Sequence, residues 1–246
     1  IVWELDMCGR LGVFPHEAAN SDVLPAGDLL LVSTSNGQNE GHTRVPSPRA
    51  PSLIAVDKRS GNVVWRAIGA GAHVFHGQWS SPVAAHVGGR VQVLFGGGDG
   101  WLRSYEPASG RELWRFDGNP TDARWLPWPG VLSRGSIIAS PVFADGRVFV
   151  AMGQSPGHGN GLDAATGAHV WRHETGEAIW GSLLLADDRL YVGNVDGRMT
   201  VLRAGRRKEV LGQIEMDAPL YSPPALVGDS LYLATANRLY LIAAKH

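Results

Sequence analysis

The sequence predicts an all-β fold, a β-propeller of four-stranded antiparallel blades with about five blades in this chain. Three observations predict it. An acidic residue is followed four positions later by glycine and eight positions later by tryptophan in three places: Asp57, Gly61, Trp65; Glu106, Gly110, Trp114; Asp163, Gly167, Trp171. Short apolar strands and tight-turn dipeptides return in sets at the period of propellers and solenoids. Helical periodicity is absent throughout.

Each set opens on a Ser-Pro or similar dipeptide: Asn20-Ser21, Ser81-Pro82, Ser140-Pro141, Gly181-Ser182 and Ser222-Pro223. The serines are 60, 59, 42 and 40 residues apart. A first hairpin turn follows at Gly27-Asp28, Gly88-Gly89, Asp145-Gly146, Asp187-Asp188 and Gly228-Asp229, dipeptides that tolerate positive φ. The middle strands LLLVST, VQVLFG, RVFVAMG, RLYVGN and SLYLATA are apolar enough for burial on both faces. The acid-to-tryptophan unit supplies the last two strands. Blades are expected at about 20–66, 81–115, 140–172 and 182–212 of one domain spanning 1–246.

Two irregularities stand out. The fourth unit has Arg203, Arg207 and Leu211 where the others carry acid, glycine and tryptophan. In the third, the stretch 153–161 (GQSPGHGNG) replaces a proper turn, so that blade is expected to be the weakest. The last blade has three strands and no tryptophan, while the chain opens on IVWELDM with Trp3. Residues 1–8 are therefore expected to pair with 222–246 and close the ring, covering both edges. A segment of a larger ring would show the same phase.

Composition narrows the partners. A net charge of −1 gives no electrostatic reason to bind nucleic acid. No apolar run approaches the roughly 20 residues needed to span a bilayer. The single cysteine, Cys8, excludes an internal disulfide, so stability must come from packing.

The repeats resemble the pyrroloquinoline-quinone-type propeller repeat, a DxxTGxxxW unit after a VYVGxxDG hairpin. LYVGNVDG at 190–197 and LDAATGAHVW at 162–171 are the best copies, and the likeness runs from Trp3 to Ala243. GVFPHEAANSD, HGQWSSP and GGGDGWL further resemble shortened bacterial propellers related to the outer-membrane assembly lipoprotein of the Bam complex. Members usually have eight blades, so a segment of an eight-bladed ring is the alternative to a closed small one. The resemblance implies a periplasmic or otherwise extracytoplasmic location. It also implies either a non-catalytic scaffold for a protein or ligand or a quinone- and calcium-dependent oxidoreductase. The fold alone does not choose between them.

Within that family Trp3, Trp65, Trp114 and Trp171 are the structural tryptophans that dock between blades. Trp79 and Trp180 each precede a blade start by two residues and are expected to line the central funnel, with His76 and Gln78 beside Trp79. Trp125 and Trp128, flanked by prolines, offer a rigid aromatic contact to a partner or a flap over the mouth. A dehydrogenase would need pyrroloquinoline quinone and Ca²⁺ held by Glu, Asn and Asp oxygens, with an Asp as base. No such acidic cluster is visible and Cys8 is alone, so no catalytic residue and no cofactor are assigned. His73 and His76 form an HxxH in a loop, and His16, His42 and His158 fall in other loops. Three of these would converge on a transition metal if the loops shared one face. Without helical spacing they read as exposed or hydrogen-bonded loop histidines, and no metal ligands are assigned.

Overall fold

The acid-to-glycine spacing folds as a turn because the carboxylate replaces the missing backbone partners. Asp57 Oδ1 accepts from the Arg59 and Ser60 amides at 3.1 and 2.8 Å and from Ser60 Oγ at 2.8 Å. Gly61 then reverses the chain at φ +73°, its amide donating to the Asp57 carbonyl at 2.9 Å. Asp163 repeats the arrangement with Ala165 and Thr166, and Gly167 has the same φ of +73°. Only glycine adopts such a φ without strain.

The computed structural model describes residues 1–17, 21–125, 134–154 and 157–243. Among these residues, after one helical turn, α1 (Met7–Leu11), nineteen strands follow in five antiparallel sheets. The first holds β1 (Leu24–Ala26), β2 (Leu29–Ser33), β3 (Leu53–Asp57) and β4 (Val63–Ala67). The second holds β5 (Val83–Val87), β6 (Arg90–Gly96), β7 (Trp101–Tyr105) and β8 (Glu112–Asp117). The third comprises β9 (Val142–Ala144), β10 (Arg147–Ala151), β11 (His158–Asp163) and β12 (His169–Glu174). In the fourth are β13 (Leu184–Ala186), β14 (Arg189–Gly193), β15 (Arg198–Arg203) and β16 (Val210–Glu215). The fifth has three strands, β17 (Ala225–Val227), β18 (Ser230–Ala234) and β19 (Leu239–Ala243). Each sheet is a simple meander, as the turn dipeptides require, and the sheets are the blades of a β-propeller.

The core lies between blades. Leu31, Leu53 and Trp65 of the first blade pack with Val93, Phe95 and Tyr105 of the second. Leu94, Leu102 and Trp114 pack with Val148, Val150 and Leu162 of the third. Phe149 and Trp171 pack with Leu190, Val192 and Leu202 of the fourth.

Each repeat tryptophan reaches forward. The indole N–H of Trp65 donates to the Pro107 carbonyl at 2.8 Å, Trp114 to Ala164 at 3.0 Å and Trp171 to Gly205 at 2.9 Å. Two of these rings cover a turn glycine of the next blade. A Cβ on Gly110 would fall 2.5 Å from the Trp65 ring, and one on Gly167 2.5 Å from that of Trp114. The glycine of the repeat therefore serves the preceding blade's tryptophan as well as its own turn.

Three expectations are corrected. Residues 1–8 add no strand to the fifth sheet; Trp3 Nε1 donates to the Lys58 carbonyl at 3.1 Å and its ring covers Gly61. Trp3 thus does for the first blade what Trp65 does for the second. Asp6 caps α1 through the Gly9 amide at 2.9 Å, which draws residues 7–11 into a helical turn rather than a strand. In the third blade the 153–161 stretch does supply the start of a strand: β11 pairs with both neighbours and is buried from His158 to Leu162. Gly161 makes room there for the Trp171 ring. Burial on both faces holds best for β6 and β10, whereas β18 is mostly half-buried. Without a tryptophan, β16 is exposed along its whole length.

Candidate functional site

The blade starts converge on a central funnel of about 630 Å³. Its wall carries Trp79, Ser81, Ile138, Ser140, Gln154, Trp180, Ser182, Tyr221 and Pro223, with Glu17, Asp22 and His76 to one side. The serines of the Ser-Pro dipeptides are used as braces. The Asp22 amide donates to Ser81 Oγ at 2.9 Å, the Ser81 amide to Ser140 Oγ at 3.1 Å and the Ser140 amide to Ser182 Oγ at 3.1 Å. Each hydroxyl satisfies a backbone donor at the neighbouring blade's start, where the funnel interrupts sheet pairing. The recurrence of serine is visible in the sequence, but its bonding partner is not.

The structure gathers some of the sequence candidates here. Trp79 and His76 line the funnel with ring centroids 5.7 Å apart. Trp180 is 46% exposed, donates to the Gly153 carbonyl at 2.9 Å and stacks on Tyr221 at 5.3 Å. Gln78 is fully buried and does not reach the funnel wall; its Oε1 accepts from the Gly98 amide at 2.8 Å. Trp125 packs edge-on against His73, centroids 5.5 Å apart, and does not line the funnel. Trp128 lies outside the described residues.

Beside the funnel three histidines meet. Ligand-capable atoms of His16, His42 and His76 all lie within 4.8 Å of one another. Glutamine 38, buried, ties them: its carbonyl lies 3.0 Å from His16 Nδ1, and its Oε1 accepts from the His76 amide at 3.1 Å. The same Oε1 lies 3.3 Å from His42 Nδ1, and the Gln38 amide donates to the His76 carbonyl at 2.7 Å. Gly37 permits the approach, since a Cβ there would collide with the His76 carbonyl and the His16 Cβ. His42 and His76 hold φ of +52° and +60°, a region that costs energy for a residue with a Cβ. Burial first, then the neighbouring His42 and His16, lower the His76 pKa to about 4. His76 is thus a neutral imidazole at neutral pH.

The other loop histidines go elsewhere. His73 packs with Trp125, and His158 is buried with its Nε2 2.7 Å from the Gly118 carbonyl. His16 and His42 are hydrogen-bonded loop histidines, one of the two readings the sequence allows, but their meeting with His76 is not legible there, because loops carry no periodicity from which to read a meeting point.

A calcium-bound quinone requires several convergent oxygen ligands. Among the described residues the funnel offers the carboxylates Glu17 and Asp22, and no group of three acids converges anywhere. Asp99, which ends a turn, is instead committed to a buried ion pair with Arg103 at 2.6 Å. The described carboxylates of the funnel, two in number, do not by themselves make up a calcium–quinone ligand set.

Antiparallel blades, the first three each pinned by an indole to the next blade's turn, define a propeller of pyrroloquinoline-quinone-type repeats. The family described as outer membrane protein assembly factor BamB matches residues 98–245, well over half of the chain, and the chain belongs to that family. A curated relative, quinohemoprotein alcohol dehydrogenase ADH IIB of Pseudomonas putida, is 27% identical over 164 residues, covering 56% of this chain and 22% of that protein. The solved quinohemoprotein alcohol dehydrogenase ADHIIG of Pseudomonas putida HK5 is 14% identical with a TM-score of 0.65, covering 94% of this chain and 41% of that one. BamB from Moraxella catarrhalis is 16% identical with a TM-score of 0.49, covering 91% and 71%. The chain therefore spans under half the length of the dehydrogenases it matches.

Proposed function

We propose that this protein is a non-catalytic binding scaffold that works outside the cytoplasm and engages a protein partner. One observation carries the reading: the serine hydroxyls at the blade starts brace neighbouring blades through Ser81, Ser140 and Ser182, and among the described residues no acidic cluster converges on the funnel. The family description as an assembly factor supports a protein partner and the extracytoplasmic location. Among the described residues, no helix is long and apolar enough to cross a membrane. The partner binds the face that carries the loops between β2 and β3 and between β4 and β5, where backbone outside regular pairing is free to vary.

The competing reading is a quinone- and calcium-dependent oxidoreductase or its degenerate descendant. The stacked Trp180–Tyr221 pair and the 27% identical dehydrogenase favour it. A thermal melt with Ca²⁺ and pyrroloquinoline quinone separates the two. A ligand of the folded state at 100 times its Kd adds about 2.7 kcal/mol, which a melt resolves. The scaffold reading expects no shift, and a clear rise overturns it. A photo-crosslinker at Arg49, on the loop face, is expected to trap a discrete protein band in cells. The same probe at Arg59, on the opposite turn, is expected to trap none.

A further inference from the structure

We propose that His16, His42 and His76 form a binding site for one divalent transition-metal ion of the Zn²⁺ class, with its remaining coordination position open to the central funnel. Nothing in the scaffold reading requires this site. It rests on the chemistry of three side chains drawn from three separate segments: the stretch before β1, the β2–β3 loop and the β4–β5 loop.

His16 supplies the decisive observation. It is 2% exposed, and its Nδ1 faces the Gln38 carbonyl at 3.0 Å. A carbonyl only accepts, so Nδ1 carries a proton, and in the neutral ring Nε2 presents the lone pair. That Nε2 is buried and has no hydrogen-bond partner among the described residues. A buried, unpartnered acceptor is costly, and a metal ion is the partner that suits a neutral imidazole lone pair. Nδ1–H on a backbone carbonyl is also the outer arrangement that fixes a ligating histidine's tautomer and ring direction.

The spacing suits a bound ion. Tetrahedral Zn²⁺ with Zn–N near 2.0–2.1 Å sets its nitrogens about 3.4 Å apart. Ligand atoms within 4.8 Å of one another reach that separation by small ring rotations. Gln38 holds all three segments in place, and the positive φ at His42 and His76 is strain that a bound ion would repay. Three imidazoles leave one position of a tetrahedron vacant, the composition of an open rather than a closed zinc site. His76 and Glu17 both line the funnel, and Glu17 Oε1 lies 3.7 Å from His16 Nε2, so a ligand entering the funnel meets the open position beside a carboxylate. Oxygen-rich sites select Ca²⁺ or Mg²⁺, whereas a set of imidazoles selects Zn²⁺, Co²⁺, Ni²⁺ or Cu²⁺.

The test uses the untagged, metal-free chain. Titration calorimetry with Zn²⁺ is expected to show one equivalent bound, and Co²⁺ to give the strong visible absorption of four-coordinate cobalt. His42→Gln and His76→Gln are each expected to weaken Zn²⁺ about 100-fold or more, while His73→Gln leaves it unchanged. Zn²⁺ affinity unaffected by His42→Gln and His76→Gln overturns the site. Should either variant fail to fold, pulsed electron paramagnetic resonance of the Cu²⁺-loaded wild type counts bound imidazoles directly. Three coupled imidazoles support the site and fewer overturn it.

Discussion

Trp65 and Gly110 belong to different blades, yet the indole of the first lies where the second would carry a Cβ, 2.5 Å from the ring. The neighbouring bond from Trp65 Nε1 to the Pro107 carbonyl fixes the ring in that place. Removing the ring should therefore loosen the joint between two blades. Trp65→Ala is expected to cost about 3–5 kcal/mol in denaturant unfolding. Trp65→Phe keeps most of the apolar contact and loses the hydrogen bond, so a smaller loss is expected, with about 1 kcal/mol of it from the bond.

The glycine side of the joint gives a paired comparison. Gly110 and Gly146 have nearly the same φ, +70° and +71°, but a Cβ on Gly146 meets nothing within 4 Å. Both alanine variants suffer the backbone strain of positive φ, which costs upwards of about 1 kcal/mol. Gly110→Ala should lose clearly more than Gly146→Ala by calorimetric Tm, because it also displaces Trp65. Equal losses would show that the indole does not depend on the bare turn.

Ser140 accepts the Ser81 amide at 3.1 Å. Ser140→Ala leaves that donor without its acceptor and should cost about 1 kcal/mol. Hydrogen exchange is the sharper readout. The Ser81 amide is expected to exchange faster in the variant, whereas amides in the middle of β6 should be unaffected.

His173 is 8% exposed, and its Nε2 has no hydrogen-bond partner among the described residues. Burial and, after it, the nearby Lys208 lower its pKa, against the opposing pull of Glu174. An unfolded histidine takes up a proton near pH 6.5, about where the folded one still resists it. The stability it contributes is therefore complete above that pH and lost as pH falls below it. His173→Gln should flatten the fall in denaturation midpoint between neutral and mildly acidic pH relative to wild type.

Much of the fold is legible because strands and turns are local. The Asp57-to-Gly61 turn needs only residues within five positions of one another, and the Ser-Pro starts mark where each blade begins. The destination of each indole is not local. Trp65 bonds a carbonyl 42 residues away and Trp114 one 50 residues away, so the sequence shows the two partners without their pairing. The same limit explains Trp3, whose blade-closing appearance hides a contact with Lys58. The site was legible only in part. Trp79, His76 and Trp180 follow from their position before a blade start, while Gln38 gives no signal at all. It is a loop glutamine until the fold brings His16, His42 and His76 around it.

The forward reach of each indole also sets an order in time. Trp65, Trp114 and Trp171 each dock on a turn that lies later in the chain. On a ribosome, a blade whose four strands have all emerged still shows a bare indole until the next blade's turn follows. Completion of each of the first three blades thus lags synthesis by most of a repeat, and a chaperone would find one uncovered repeat tryptophan near the growing end until Gly205 has emerged.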